Sequence, residues 1–176
     1  MAKVKHILIV VGTRPNFIKV TQFKKIASKY FSHLTITILH TGQHFDDNMS
    51  KVFFDQFNLH PDVFLNAESG RPASQIASII QKLDAYVADN RPDIILSPGD
   101  VNSTLATSIV ANKNSIPLGH IESGLRSEDL GMPEEYNRIL ADNLANHLFV
   151  TEPSGLNNIA NEELAGKVHY VGNTMI

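Results

Sequence analysis

The chain has 176 residues, a length that suits one domain, and its 43% hydrophobic and 19% charged residues can fill and enclose a core. Its formal charge of -3 argues against nucleic acid as the main partner, because a phosphate backbone demands a basic face. It contains no cysteine, which excludes disulfides, iron–sulfur clusters, thiolate zinc sites and a cysteine nucleophile.

The apolar run at Ile7 to Val11 is too short for a secretory signal, and no segment approaches the ~20 apolar residues that span a bilayer. The expectation is a soluble cytoplasmic protein without a membrane partner.

In chain order, strand and helix signals alternate. His6 to Val11 is a continuous apolar run rich in β-branched residues, the pattern of a strand buried on both faces. Gly12-Thr13-Arg14-Pro15 breaks it, and a helix is predicted from Pro15 to about Tyr30. Leu34 to Leu39 predicts a second strand and Asp46 to Phe57 a helix. Asn66 to Ala73 is loop-like. Ile76, Ile79, Ile80, Leu83 and Val87 recur at helical spacing, predicting a helix over Ser74 to Asp89. Further strands are predicted at Asp93 to Ser97, Ile116 to Ile121, His147 to Val150 and Val168 to Val171. Helices are predicted at Val101 to Lys113, Glu134 to Ala145 and Ser154 to Glu163. This alternation implies an α/β fold, a three-layer Rossmann-like domain with a mostly parallel sheet between helices.

In such sheets, ligands bind outside the carboxyl ends of the strands. The unusual polar residues fall there: Arg14, Gln43 and His44, Asp100, then Glu122 and Arg126. At Gly12 to Pro15, the turn and helix start suit an anion, with Arg14 as a forked donor, or make an ordinary turn with a solvated arginine. The turn is neither a GxGxxG dinucleotide fingerprint nor a Walker A loop. Thr41-Gly42-Gln43-His44 lines a site or forms a turn. Asp100 is a natural helix N-cap, and also a candidate catalytic acid. Glu122, delivered by a strand into a glycine-containing loop, is a site acid or the partner of Arg126 in a structural ion pair. His120 and Glu122 have metal-ligand spacing, with no evident third ligand nearby. Glu134 and Glu135 open a helix and either complement its dipole or, with an arginine aimed at a cleft, suit acid/base work beside a phosphate. Arg138 shares a face with Glu134, as a surface ion pair or as part of a site. No GxSxG elbow is present.

Seven segments together resemble the UDP-N-acetylglucosamine 2-epimerases. They are GTRPNFIK at 12–19, TGQH at 41–44, GDVNSTLA at 99–106, GHIESGLRS at 119–127, MPEEYNR at 132–138, FVTEPSGLNNI at 149–159 and VGNTMI at 171–176. Asn16 departs from the family's usual glutamate after GTRP. The resemblance implies the N-terminal half of a glycosyltransferase-B-like fold, with residues 1–172 as the N-terminal Rossmann-like domain. Residues 173–176 would begin a linker to a C-terminal nucleotide-binding domain that lies beyond this sequence. It further implies a cofactor-free, metal-free reaction that interconverts UDP-GlcNAc and UDP-ManNAc by elimination and re-addition of UDP, feeding polysaccharide biosynthesis. By motif, Asp100, Glu122 and Glu134 match catalytic acids. Arg14, Lys19, Gln43, His44 and Arg138 match substrate-binding positions. The partners implied are UDP-GlcNAc and UDP, with a homodimer for the full-length form. A hydrolysing epimerase releasing ManNAc and UDP is the alternative, as is a UDP-sugar-binding or glycosyltransferase-type domain.

Overall fold

The computed structural model describes residues 5–42 and 60–174. The predicted helix at Asp46 to Phe57, together with Gln43 and His44, lies outside them. Seven strands form one wholly parallel sheet: β1 (Lys5–Val11), β2 (Leu34–His40), β3 (Val63–Phe64), β4 (Ile94–Pro98), β5 (Leu118–Ile121), β6 (His147–Val150) and β7 (Lys167–Tyr170). Their spatial order is β3-β2-β1-β4-β5-β6-β7. The chain moves outward from β1 to β3, returns, and moves outward the other way from β4 to β7. The loops leaving β1 and β4 therefore diverge from the middle of the sheet, which opens a crevice at its carboxyl edge.

Each face of the sheet carries its own core. On β1, Leu8 and Val10 point to one side and Ile9 and Val11 to the other, and all four are buried. Helices α1 (Arg14–Ile18) and α2 (Phe23–Tyr30), with the turn between them, cover the Ile9 side through Phe17, Val20 and Phe23. Helices α3 (Pro72–Asp89), α4 (Asn102–Lys113), α5 (Pro133–Leu144) and α6 (Pro153–Ala160) belong to the Leu8 side. Leu83, Val87, Val110, Leu118, Leu148 and Ile159 fill the core there. Each large aliphatic side chain buried in this way stabilises the fold by about 1.5–3 kcal/mol. Helix α4 turns Ser103, Thr104, Ala106, Thr107 and Ser108 inward, and these small side chains let α3 and α5 pack close on either side.

Two departures from the predicted elements have local causes. The single helix predicted over Pro15 to Tyr30 is two helices separated by a turn at residues 19–22. There the backbone hydrogen bonds shorten to three-residue spacing, from Val20 N–H to Phe17 O and from Phe23 N–H to Val20 O. The β-branched Val20 and Thr21 are weak helix formers, and the Thr21 hydroxyl bonds the Ile18 carbonyl at 3.1 Å. Strand β3 is new, and two residues are too few to show a period. The Asp62 carboxylate secures it by accepting the Ile38 N–H at 2.7 Å.

Two glycines differ sharply in what they permit. Gly124 has φ +81°, and a Cβ there would sit 2.4 Å from the Gly155 carbonyl oxygen; a Cβ at Gly70 would meet nothing within 4 Å. Gly124→Ala is therefore expected to lower the unfolding free energy by more than about 2 kcal/mol, read as a lower urea midpoint at unchanged m-value, and Gly70→Ala to change it by less than about 0.5 kcal/mol.

Candidate active site at the carboxyl edge

Three loops meet where the crevice opens. The first leaves β1 and carries Arg14 and Lys19. Arg14 is exposed at the first position of α1, after the N-cap Thr13. Lys19 lies in the turn after α1 with its side chain 11% exposed. The second leaves β4 as Pro98-Gly99-Asp100. The third leaves β5 as Glu122 to Glu128.

Lys19 reaches across the crevice to the Glu122 carboxylate, with which it forms an ion pair. It passes close to Gly99, where a Cβ would stand 3.2 Å from Lys19 Nζ and 2.9 Å from Asn16 Oδ1. With φ +75° as well, this position demands glycine. Asn16 is buried, and its amide donates to the Pro98 carbonyl at 2.9 Å, a bond that a glutamate side chain could not make when ionised. Glu122 itself has φ 71°, an uncommon conformation for a residue with a side chain. Its N–H and that of Ser123 both bond the Phe149 carbonyl, and the Ser123 hydroxyl bonds the His120 carbonyl at 2.7 Å. Strain of this kind persists only where surrounding bonds over-determine the backbone, and it clusters at functional sites.

Asp100 caps no helix. The N-cap of α4 is Val101, without a side-chain cap, and the Asp100 carboxylate instead accepts from Arg138 Nη2 at 2.5 Å. The Asp100 carbonyl accepts from Asn137 Nδ2 at 2.8 Å. The other arm of Arg138, Nη1, donates to Glu135 Oε2 at 2.9 Å. Arg138 thus joins two carboxylates, neither of them Glu134. The Glu134–Arg138 surface pair does not form, and Glu134 takes no hydrogen bond or ion pair among the described residues. Burial works against the Arg138 charge, but Glu135 and Asp100 outweigh it and hold its pKa above the usual value.

Glu135, 2% exposed, is the structural acid of the helix start. Burial alone would raise its pKa. The backbone N–H and hydroxyl of Ser127, then Arg138, then the N–H of Glu128 override that effect and hold it at about 2. Its carboxylate therefore ties the loop after β5 to α5. Sequence reasoning offered Glu135 a dipole role or, with Glu134 and an arginine, acid/base work in a cleft, and not this tie. The available signal was the stripe Glu135, Arg138 and Asp142, which recurs at helical spacing and points inward.

Arg126 does not pair with Glu122. It forms ion pairs at 2.8 Å with Asp142 and with Glu162, which accepts through both oxygens. Both ring nitrogens of His120 are engaged within the protein, by the Asp142 carboxylate and the Gly99 carbonyl, so the ring is committed away from metal ligation. Among the described residues no group of three potential ligands is placed to hold a metal ion. No described helix is long and apolar enough to cross a membrane.

Comparison with known proteins decides the family. A family profile described as UDP-N-acetylglucosamine 2-epimerase matches residues 27–176. The chain belongs to the UDP-N-acetylglucosamine 2-epimerase family. A protein of that name from Methanococcus maripaludis is 39% identical over 171 residues, covering 96% of this chain and 45% of that protein. The UDP-2,3-diacetamido-2,3-dideoxy-D-glucuronate 2-epimerase of Pseudomonas aeruginosa is 38% identical, covering 96% of this chain and 49% of that one. The crystal structure of the Methanocaldococcus jannaschii UDP-GlcNAc 2-epimerase in complex with UDP-GlcNAc and UDP superposes with a TM-score of 0.89 at 36% identity, covering 96% of this chain and 46% of that chain. The chain thus spans about half the length of the epimerases it matches.

The Glu135 contacts carry a pH dependence. Its folded pKa lies below the unfolded value of 4.5, so its contribution to stability is complete above pH 4.5 and is lost as pH falls toward 2. Glu135→Gln is expected to destabilise the chain by roughly 2–4 kcal/mol at pH 7. The gap to wild type should close between about pH 4.5 and 2, as followed by denaturant unfolding across pH.

Proposed function

We propose that this chain is the sugar-side domain of an epimerase that interconverts UDP-GlcNAc and UDP-ManNAc. The observation that carries the reading is the placement of two carboxylates, Asp100 and Glu122, on adjacent loops at the β1/β4 crevice, each held by its own cation. Inversion at C2 of the sugar has to break a C–H bond that no carbonyl activates. Elimination solves this: the C1–O bond to UDP breaks, the C2 proton leaves to a carboxylate, and a C1–C2 double bond forms. Protonation on the opposite face, with return of UDP to C1, gives the epimer. Carboxylates facing the sugar accept and return the proton and stabilise the positive charge that develops at C1. Arg14, Arg138 and Lys19 supply cations toward the departing diphosphate. Glu134, on the first turn of α5 and without a partner among the described residues, is the third acid available to the sugar. A second domain, equivalent to the half of the relatives that this chain does not span, would complete the cleft around UDP. By this reading the 176-residue chain alone does not turn over substrate.

The test joins the chain to the second domain of a family relative and follows UDP-GlcNAc in D2O by NMR. UDP-ManNAc carrying deuterium at C2 is the expected product, with Asp100→Asn or Glu122→Gln lowering kcat by about 10²–10⁴-fold. Free ManNAc accumulating with equimolar UDP would show a hydrolysing enzyme instead. Unchanged kcat in both variants would remove the carboxylates from the chemistry.

A further inference from the structure

His120 and Asp142 have side chains 1% and 0% exposed. Both are closed off from solvent, yet each bonds the loop of a different candidate acid. His120 stands on β5 and Asp142 on α5. His120 Nε2–H donates to the Gly99 carbonyl at 2.7 Å, one residue before Asp100. Its Nδ1 shares a hydrogen bond with Asp142 Oδ1 at 2.6 Å. The second oxygen of Asp142 accepts the Gly124 N–H at 3.0 Å, two residues after Glu122, and contacts Arg126 Nη1 at 2.8 Å. One hydrogen-bonded chain therefore runs from the Asp100 loop, through His120 and Asp142, to the Glu122 loop.

The backbone explains why such a chain is needed. Gly99 and Glu122 both sit at positive φ, +75° and 71°, just beyond the ends of neighbouring strands. The Gly99 carbonyl is turned into the protein, where it meets the His120 ring. An aliphatic residue at 120 would fill the space and leave that carbonyl without its partner, at a cost comparable to a lost buried hydrogen bond. On the other loop, Asp142 fixes the residue that follows the strained turn. Because Asp142 lies four residues after Arg138, α5 grips the Asp100 loop twice: directly at the carboxylate through Arg138, and at the preceding carbonyl through Asp142 and His120.

We infer that His120 and Asp142 are positioning residues that fix the Asp100 and Glu122 carboxylates relative to each other by joining the two loops that carry them. The inference deepens the proposed function and rests on its reading that these two carboxylates act on the sugar. Among the described residues Asp142 forms no hydrogen bond or ion pair with the Asp100 loop, so its polar link to Asp100 runs through His120 or along α5.

The 176-residue chain, labelled with ¹³C and ¹⁵N, tests this by NMR without reference to turnover. In the wild type, a scalar coupling through the hydrogen bond is expected between His120 Nε2 and the Gly99 carbonyl carbon. Asp142→Asn should shift the backbone resonances of Gly99 and Asp100, and the Asp100 carboxyl carbon, together with those of Glu122 to Gly124. Arg126→Gln, which removes a partner of Asp142 but leaves the His120 contacts in place, should leave Gly99 and Asp100 at their wild-type positions. A folded Asp142→Asn protein whose changes stop at residues 122–126 would overturn the inference. Should that variant not fold, the wild-type coupling decides, and its absence overturns the inference equally. Failure of the joined enzyme to convert UDP-GlcNAc would instead count against the proposed function, leaving the coupling of the two loops to stand or fall by these spectra.

Discussion

The guanidinium of Arg138 is the constraint on which the rest of the site depends. One arm holds Asp100 and the other holds Glu135, so one side chain of α5 ties down the loop after β4 directly and the loop after β5 through Glu135. Glu135 accepts the N–H groups of Ser127 and Glu128 as well, which fixes the far end of the loop that begins at Glu122. Partly burying a cation between two anions is favourable only when the geometry is good and the remaining lone pairs are satisfied. Both conditions hold for Glu135, whose depressed pKa reports how fully its charge is compensated.

The sheet order explains why so few residues suffice. The reversal between β1 and β4 brings the loop after β1 beside the loop after β4, with the loop after β5 next in line. Lys19, from the first, spans to Glu122, on the third, because Gly99 on the second has no side chain in the way. Each loop is thus held by a neighbour from a different crossover. A crevice built in this way presents acids and cations side by side on rigid strand ends, the arrangement required to move a proton next to a departing anion.

Much of this was legible in the sequence. Continuous apolar runs such as His6 to Val11 belong to strands buried on both faces, and the rule that ligands bind beyond strand ends drew attention to Arg14, Asp100 and Glu122, which do lie at the carboxyl edge of the sheet. Other features were hidden for identifiable reasons. Adjacent Glu134 and Glu135 look alike along the chain, and the direction of their side chains is decided by where α5 docks. Asp100 looked equally suited to a helix cap until its partner, 38 residues away, was known. The partner of Glu122 was sought at Arg126, four residues on, but it is Lys19, 103 residues earlier. Long-range pairing of this kind leaves no local pattern. The break at residues 19–22 did leave one, the β-branched Val20 and Thr21, but the apolar stripe running through it was stronger.

The most direct test of the account is a titration of the 176-residue chain with UDP-GlcNAc, observed through the carboxyl carbons of Asp100 and Glu122 and the guanidinium of Arg138. Even weak binding registers as a shift in fast exchange. Saturable shifts are expected at all three groups, with Asp84, on α3, and Asp93, at the amino edge of the sheet, unmoved. Saturable binding that shifts other residues and leaves Asp100, Glu122 and Arg138 unchanged would contradict it.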